Sequence, residues 1–141
     1  MTRRERSARD EQYERDRRTA RDTFQRDSIL ALQTAISDLI RAAYQELDRV
    51  LAEFNRTGSW PARQWETPTA VDWSDAVLRL ELARARVFDD QLRSLAAELR
   101  TRAGDSIWAG NLKAAKEHDQ AIEPLQIRFN EVVTSILPSL Y

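Results

Sequence analysis

SILALQTAISDLIRAAYQELDRVLAEF, residues 28–54, decides the fold. Its large apolar side chains fall at Leu32, Ile36, Leu39, Ala43, Leu47, Val50 and Phe54, steps of four and three that put them on one side of an α-helix. A second row, Ile29, Ile36, Ile40, Tyr44, Leu47 and Leu51, lies beside the first. Two adjacent rows make a stripe broad enough to touch two neighbouring helices. The 4-3-4 step repeats every eleven residues, which predicts a nearly straight helix rather than a tight left-handed supercoil.

Upstream the pattern changes but the helix signal does not stop. Thr2 to Asp27 contains nine Arg and seven Asp or Glu, and its sizeable apolar residues are Tyr13 and Phe24, with Ala20 between them. Glu5–Arg9, Glu11–Arg15, Glu14–Arg18 and Asp22–Arg26 are acid-before-base pairs four residues apart. Each such pair stabilises a helix by about 0.2–0.5 kcal/mol. Gly58 is the first Gly or Pro of the chain. The spacing therefore predicts one helix from about Ser7 to Arg56, capped by Gly58.

Downstream, residues 57–68 read as a loop, with Gly58, Pro61 and Pro68. Trp60 and Trp65 lie in or beside it and Trp73 just beyond. Such a cluster suits a partner hot spot; the other reading, which we favour, is a plug for the open end of a bundle. A second helix is expected over 69–103, starting near Thr69 or Asp72, along Leu78, Leu82, Ala85, Phe88, Leu92, Leu95 and Leu99, and ended by Gly104. A third is expected over 106–138, capped by Ser106 or Asn111. Its stripe is Trp108, Leu112, Ala115, His118, Ile122, Leu125, Phe129, Val132, Ile136 and Leu140, with a kink or short break near Glu123 caused by Pro124.

The portion 24–56 and the two later segments have matching lengths, and short connections make neighbours antiparallel. The expected fold is all-α: a three-helix, antiparallel, up-down-up bundle over 24–141. Residues 1–23 form a charged helical extension of its first helix, about 30 Å long.

Charged residues make up 32% of the 141 and the net charge is -1, so the chain as a whole has no electrostatic attraction to nucleic acid or anionic lipid. The absence of Cys excludes disulfide and thiolate chemistry. No apolar run is long enough to span a bilayer, no apolar segment follows the basic start as a secretory signal requires, and a cytoplasmic location is expected. Arg outnumbers Lys twenty to two, which fits a GC-rich bacterial genome as well as phosphate recognition.

The chain has one histidine, His118, and no Glu-x-x-His or His-x-x-x-His spacing. Asp89 and Asp90 are adjacent on a helix and do not face one another. No nucleophile motif or Gly-rich phosphate loop is present, so no enzyme activity, metal or cofactor is expected. Contact chemistry remains. Tyr13, Ala20, Phe24, Trp60 and Trp65 are the candidate contacts for a protein partner or a second copy. Arg3, Arg4, Arg6, Arg9, Arg17, Arg18 and Arg21 are the candidate nucleic-acid contacts, although interleaved acids leave that segment at only +2.

The stretches RRTARDTFQRDSILALQTAISDL, residues 17–39, and RVFDDQLRSL, residues 86–95, resemble segments of small uncharacterised α-helical proteins of actinobacteria. The resemblance covers about a quarter of the chain. It implies a helical bundle and carries no activity with it.

Overall fold

The structure is a computed structural model that describes residues 2–62 and 66–141. It is all-α among the described residues. The elements are α1 (Arg3–Thr57), α2 (Pro68–Arg84), α3 (Asp90–Ile107), α4 (Leu112–Gln120) and α5 (Ile122–Ile136), followed by a 3-10 turn, Leu137–Leu140.

α1 starts earlier than the apolar pattern does. Thr2 Oγ1 accepts from the Glu5 amide at 3.1 Å and Glu5 Oε2 accepts from the Thr2 amide at 2.9 Å, a reciprocal capping box that satisfies two orphan donors. At the other end Gly58 adopts φ 74°, and its N–H bonds Phe54 C=O at 2.8 Å. That left-handed turn is why a Gly stands there. Every described residue from Thr2 to Arg21 is exposed, and burial begins near Gln25.

The expected helix over 69–103 is two helices. The chain reverses at Ala85–Asp89, so that α2 and α3 form a hairpin. Thr69 bonds Glu46 while Phe88 bonds Gln25, so α2 runs antiparallel to α1. Trp73 lies 3.6 Å from where a Gly104 Cβ would stand and Glu81 pairs with Arg100, so α3 runs back beside α2. α4 and α5 then descend, with Gln33 bonded to Asn130 and the Arg26 guanidinium 4.7 Å from the Tyr141 ring centre. The course is up, down, up, down, one leg more than the three-helix expectation.

Asp89 explains the reversal. Its carboxylate accepts the Leu92 amide at 2.8 Å as the N-cap of α3, and the buried Gln25 side chain binds the turn from α1. Neither device needs Gly or Pro. The expected start of the second helix also moves: Thr67 is the N-cap, Pro68 opens the first turn, and the Thr69 hydroxyl is bonded to Glu46 instead. Gly104 does not end a helix but lies inside α3, and Ser106 lies there too, its hydroxyl on Ala103 C=O at 2.7 Å. Asn111 is the cap of α4. The break before α5 falls at Ala121, a turn ahead of Pro124, whose missing N–H costs nothing in the first turn of α5.

The core joins all four legs. α1 contributes Ile29, Leu32, Ile36, Leu39 and Leu47, the hairpin Trp73, Leu80, Val87, Leu92 and Leu99, and the last leg Ile122 and Phe129. Among the described residues no helix is long and apolar enough to cross a membrane.

Candidate interaction surface

Two exposed faces meet where α1 leaves the helical body, a mixed one on α1 and an apolar one on α2. The first is on α1. Tyr13, Ala20 and Phe24 step by seven and four, and the same face continues into Ser28, Ala35, Ala42 and Glu46. Those last four are buried, and the row touches the hairpin at both ends, through Glu46 to Thr69 and through Phe24 to Phe88. In the body this face therefore seats α2. Beyond Phe24 it runs on uncovered, with Arg6, Asp10 and Arg17 interleaved among Tyr13, Ala20 and Phe24.

The second row is on α2. Its inner face, Ala70, Trp73, Ala76 and Leu80, is buried. Its outer face carries Val71, Leu78 and Leu82, of which Leu78 is 61% exposed and Leu82 57%, and the turn that follows α2 adds Ala85 and Phe88, Phe88 being 56% exposed. The expected core stripe of the second helix had assigned Leu78, Leu82, Ala85 and Phe88 to the interior; the structure buries the opposite side. Trp73 and Leu80 carry the volume of that inner side into the core, and Trp73 reaches α3 beside Gly104. A helix apolar on both faces with one face bare is the departure from ordinary amphipathicity in this chain. Sequence reasoning missed the surface although its signal was present: α2 has two apolar rows, and only one can face its own core.

Phe24 and Phe88 join the two rows, their rings 6.1 Å apart and tilted by 46°. Behind them, the buried Gln25 side chain donates to Arg86 C=O at 3.1 Å and accepts the Phe88 amide at 2.9 Å.

Of the expected contact residues, Tyr13, Ala20 and Phe24 thus share a face. Trp60 is at the opposite end, its ring edge-on to Phe54 at 5.5 Å and its indole N–H donating to Ala109 C=O at 2.7 Å. It ties the loop to the α3–α4 turn, as a plug would. Trp65 lies outside the described residues.

The seven candidate phosphate contacts, Arg3, Arg4, Arg6, Arg9, Arg17, Arg18 and Arg21, are all exposed, but they wrap around the helix. At 100° per residue Arg3, Arg6, Arg17 and Arg21 share a side, and Asp10 and Glu14 stand in that same row. Arg17 pairs with Glu14 at 3.6 Å and lies 5.8 Å from the Tyr13 ring centre. Glu14–Arg17 is the ion pair that closes within residues 2–21, three residues apart instead of the expected four.

Other polar groups are scattered. His118 is partly exposed, its Nδ1 4.0 Å from Asp105 and 3.4 Å from Arg102. One carboxylate oxygen of Asp119 is buried without a hydrogen-bond partner; burial, then the nearby Asp48 charge, pushes its pKa up. Tyr44 is raised as well, by burial and then by Asp119 and Glu123. Glu46 is buried and held by Arg49 at 2.5 Å and by the Thr69 hydroxyl. Among the described residues no group of three or more His, Asp or Glu converges as a metal site would. A shallow groove between α2 and α3 is lined by Trp73, Val77, Arg100, Asp105 and Trp108.

No protein-family model, no curated protein and no solved structure matches this chain. The reading of function therefore rests on the chain's own chemistry.

Proposed function

We propose that this chain is a non-enzymatic helical interaction protein. Its contact surface is the uncovered face of α1 together with the outer face of α2. The helical body keeps these two faces in fixed relation, and the first turns of α1 extend the reach of one of them. The observation that carries this reading is the exposed pair Leu78 and Leu82, continued by Phe88 in the turn that follows, on a helix whose other face is already buried. An exposed apolar helix face is the usual anchor of a helix-on-helix contact. Nucleic-acid binding through the Arg-rich turns is the competing chemistry, and Asp10 and Glu14 within the richest Arg row weigh against it.

The test is a photo-reactive phenylalanine analogue at Leu78, activated in cells that express the chain. The reading expects a cross-link to a polypeptide, lost when Leu82→Glu is added. No cross-link, together with retardation of duplex or single-stranded DNA that weakens steeply between low and moderate salt, would replace this reading with the nucleic-acid one.

A further inference from the structure

We infer that the partner of this surface is a second copy of the chain, docked antiparallel, so that the outer face of each α2 lies on the bare Tyr13–Ala20–Phe24 face of the other copy's α1. The inference rests on the interaction reading above and names its occupant.

The seat and the occupant are both visible. The face of α1 that binds its own α2 from Phe24 to Glu46 continues without its cover toward the N-terminus, where Arg6, Asp10 and Arg17 join Tyr13 and Ala20 on it. The uncovered part, Arg3 to Phe24, spans ~33 Å at 1.5 Å per residue, and α2 spans ~26 Å. The chain therefore carries a second seat long enough for α2 but only one α2 to fill it. Conversely, α2 has two apolar faces and only one α1 to cover them. A two-fold axis perpendicular to α1, near the Phe24–Phe88 contact, resolves both mismatches at once. Each α2 is then sandwiched between its own α1 and the partner's, and the two α2 helices abut end to end at their Phe88 turns.

The charges agree with this register. The partner's α2 runs parallel to the bare half of α1. With Phe88 placed level with Phe24, Leu78 comes level with Tyr13 and Glu14, and Asp72 with Ala8 and Arg9. Residues 66–73 carry Glu66 and Asp72 and no Lys or Arg; the residues level with them, 2–9, carry Arg3, Arg4, Arg6 and Arg9 against Glu5 alone, while Asp75 comes level with Glu11. The acidic start of one helix meets the basic start of the other, which sets direction and register as well as attraction. The opposite direction would bring the acids of residues 66–78 toward Phe24 and leave the Arg cluster facing the apolar turn.

Light scattering after size exclusion on the full chain tests the stoichiometry, and designed cysteines test the geometry. The expected mass is twice 16.3 kDa, falling to 16.3 kDa in Leu78→Glu/Leu82→Glu with helical content unchanged, because both side chains are exposed in the single copy. The chain has no native Cys, so Tyr13→Cys/Leu78→Cys should oxidise to a covalent dimer. Within one copy these positions lie ~30 Å apart along α1, beyond disulfide reach. Tyr13→Cys alone should stay uncrosslinked, since the two Tyr13 positions are as far apart. A full chain that stays at 16.3 kDa to high concentration overturns the inference; if the Leu78 cross-link to a foreign polypeptide persists in cells, the interaction reading survives it. A dimer that persists in the double Glu variant, or that crosslinks as well through Tyr13→Cys alone, also overturns it.

Discussion

Gln25 and Phe88, sixty-three residues apart, are joined by a 2.9 Å hydrogen bond from the Phe88 amide to the Gln25 side-chain oxygen. The same carboxamide donates to Arg86 C=O at 3.1 Å. A hairpin turn without Gly or Pro exposes peptide groups that no helix ladder satisfies, and Gln25 satisfies one donor and one acceptor from a position 7% exposed. It also fixes Phe88 against Phe24.

Removing that side chain should be costly. Gln25→Leu leaves a backbone donor and a backbone acceptor without these partners, and the expected loss is about 2–3 kcal/mol, read as a lower urea midpoint. Gln25→Glu keeps the acceptor for Phe88 but sets a carboxylate oxygen against Arg86 C=O, so it should not restore full stability. A Gln25→Leu variant as stable as the parent would mean the turn is held by Asp89, by Val87 and by its own backbone hydrogen bonds without Gln25.

Glu46 and Arg49 make a second linked pair, closed by Thr69 from α2. Glu46 is 1% exposed while the Arg49 side chain is 24% exposed. Breaking a fully buried pair costs about 3–5 kcal/mol, and the partial exposure of Arg49 places Arg49→Met nearer about 2 kcal/mol. Replacing both, as Glu46→Met/Arg49→Met, should cost less than Arg49→Met alone, because no unpaired carboxylate then remains buried. A double-mutant cycle by chemical denaturation measures the coupling.

Gly104 has helical neighbours on both sides and room for a methyl group. A Cβ there would meet Trp73 at 3.6 Å, an ordinary van der Waals contact. Gly104→Ala should therefore stabilise the chain by about 0.5–1 kcal/mol through the backbone entropy that Gly loses in a helix. The check is a higher thermal midpoint with an unchanged circular dichroism spectrum.

Two acids should respond to pH with opposite signs. Burial, then Asp48, holds the Asp119 pKa above its ordinary value, so the native state binds its proton more tightly than the unfolded chain does. Its ionisation costs stability as pH rises from the unfolded to the folded pKa, and the penalty is complete above both. Asp119→Asn should stabilise at pH 7, with the gain fading below pH 4. For Glu81, burial opposes ionisation, but the hydrogen bonds and charges of Arg84 and then Arg100 outweigh it and hold the pKa down. That stability is present at neutral pH and lost as pH falls through the folded pKa, so Glu81→Gln should destabilise at pH 7 and be neutral in acid. Denaturation of both variants at pH 3 and pH 7 reads the two signs together.

Helical content and the apolar face of α1 are legible in the sequence because residues 28–54 carry large aliphatics at helical spacing. The Ala115, Ile122, Phe129 and Val132 face of the last leg is legible for the same reason. The hairpin is not. Its turn uses Ala85, Arg86, Val87 and Phe88, none of them a turn residue by type, and its cap, Asp89, looks like half of an acidic pair until Leu92 N–H is seen on it. The third buried row of α1, Gln25, Ser28, Ala35, Ala42 and Glu46, is hidden by its small and polar side chains, which let α2 approach closely. Without that row α1 has faces for two neighbours, and a third has nowhere to sit. Periodicity alone places the exposed row of α2 in the core, because it reports that a face is apolar and not what covers it.

The first helix has a further consequence in solution. At 55 residues α1 is ~80 Å long, and the rest of the chain gathers around little more than half of it. A body of this outline has a high frictional coefficient for its mass. It elutes early from a gel-filtration column, ahead of a compact protein of equal weight. Its rotational diffusion is anisotropic: reorientation of the long axis is slow, while spin about that axis is fast. Amide relaxation in residues 3–21 therefore follows the tumbling of the whole rod, with one field-dependent signature for N–H vectors that all lie nearly parallel to α1.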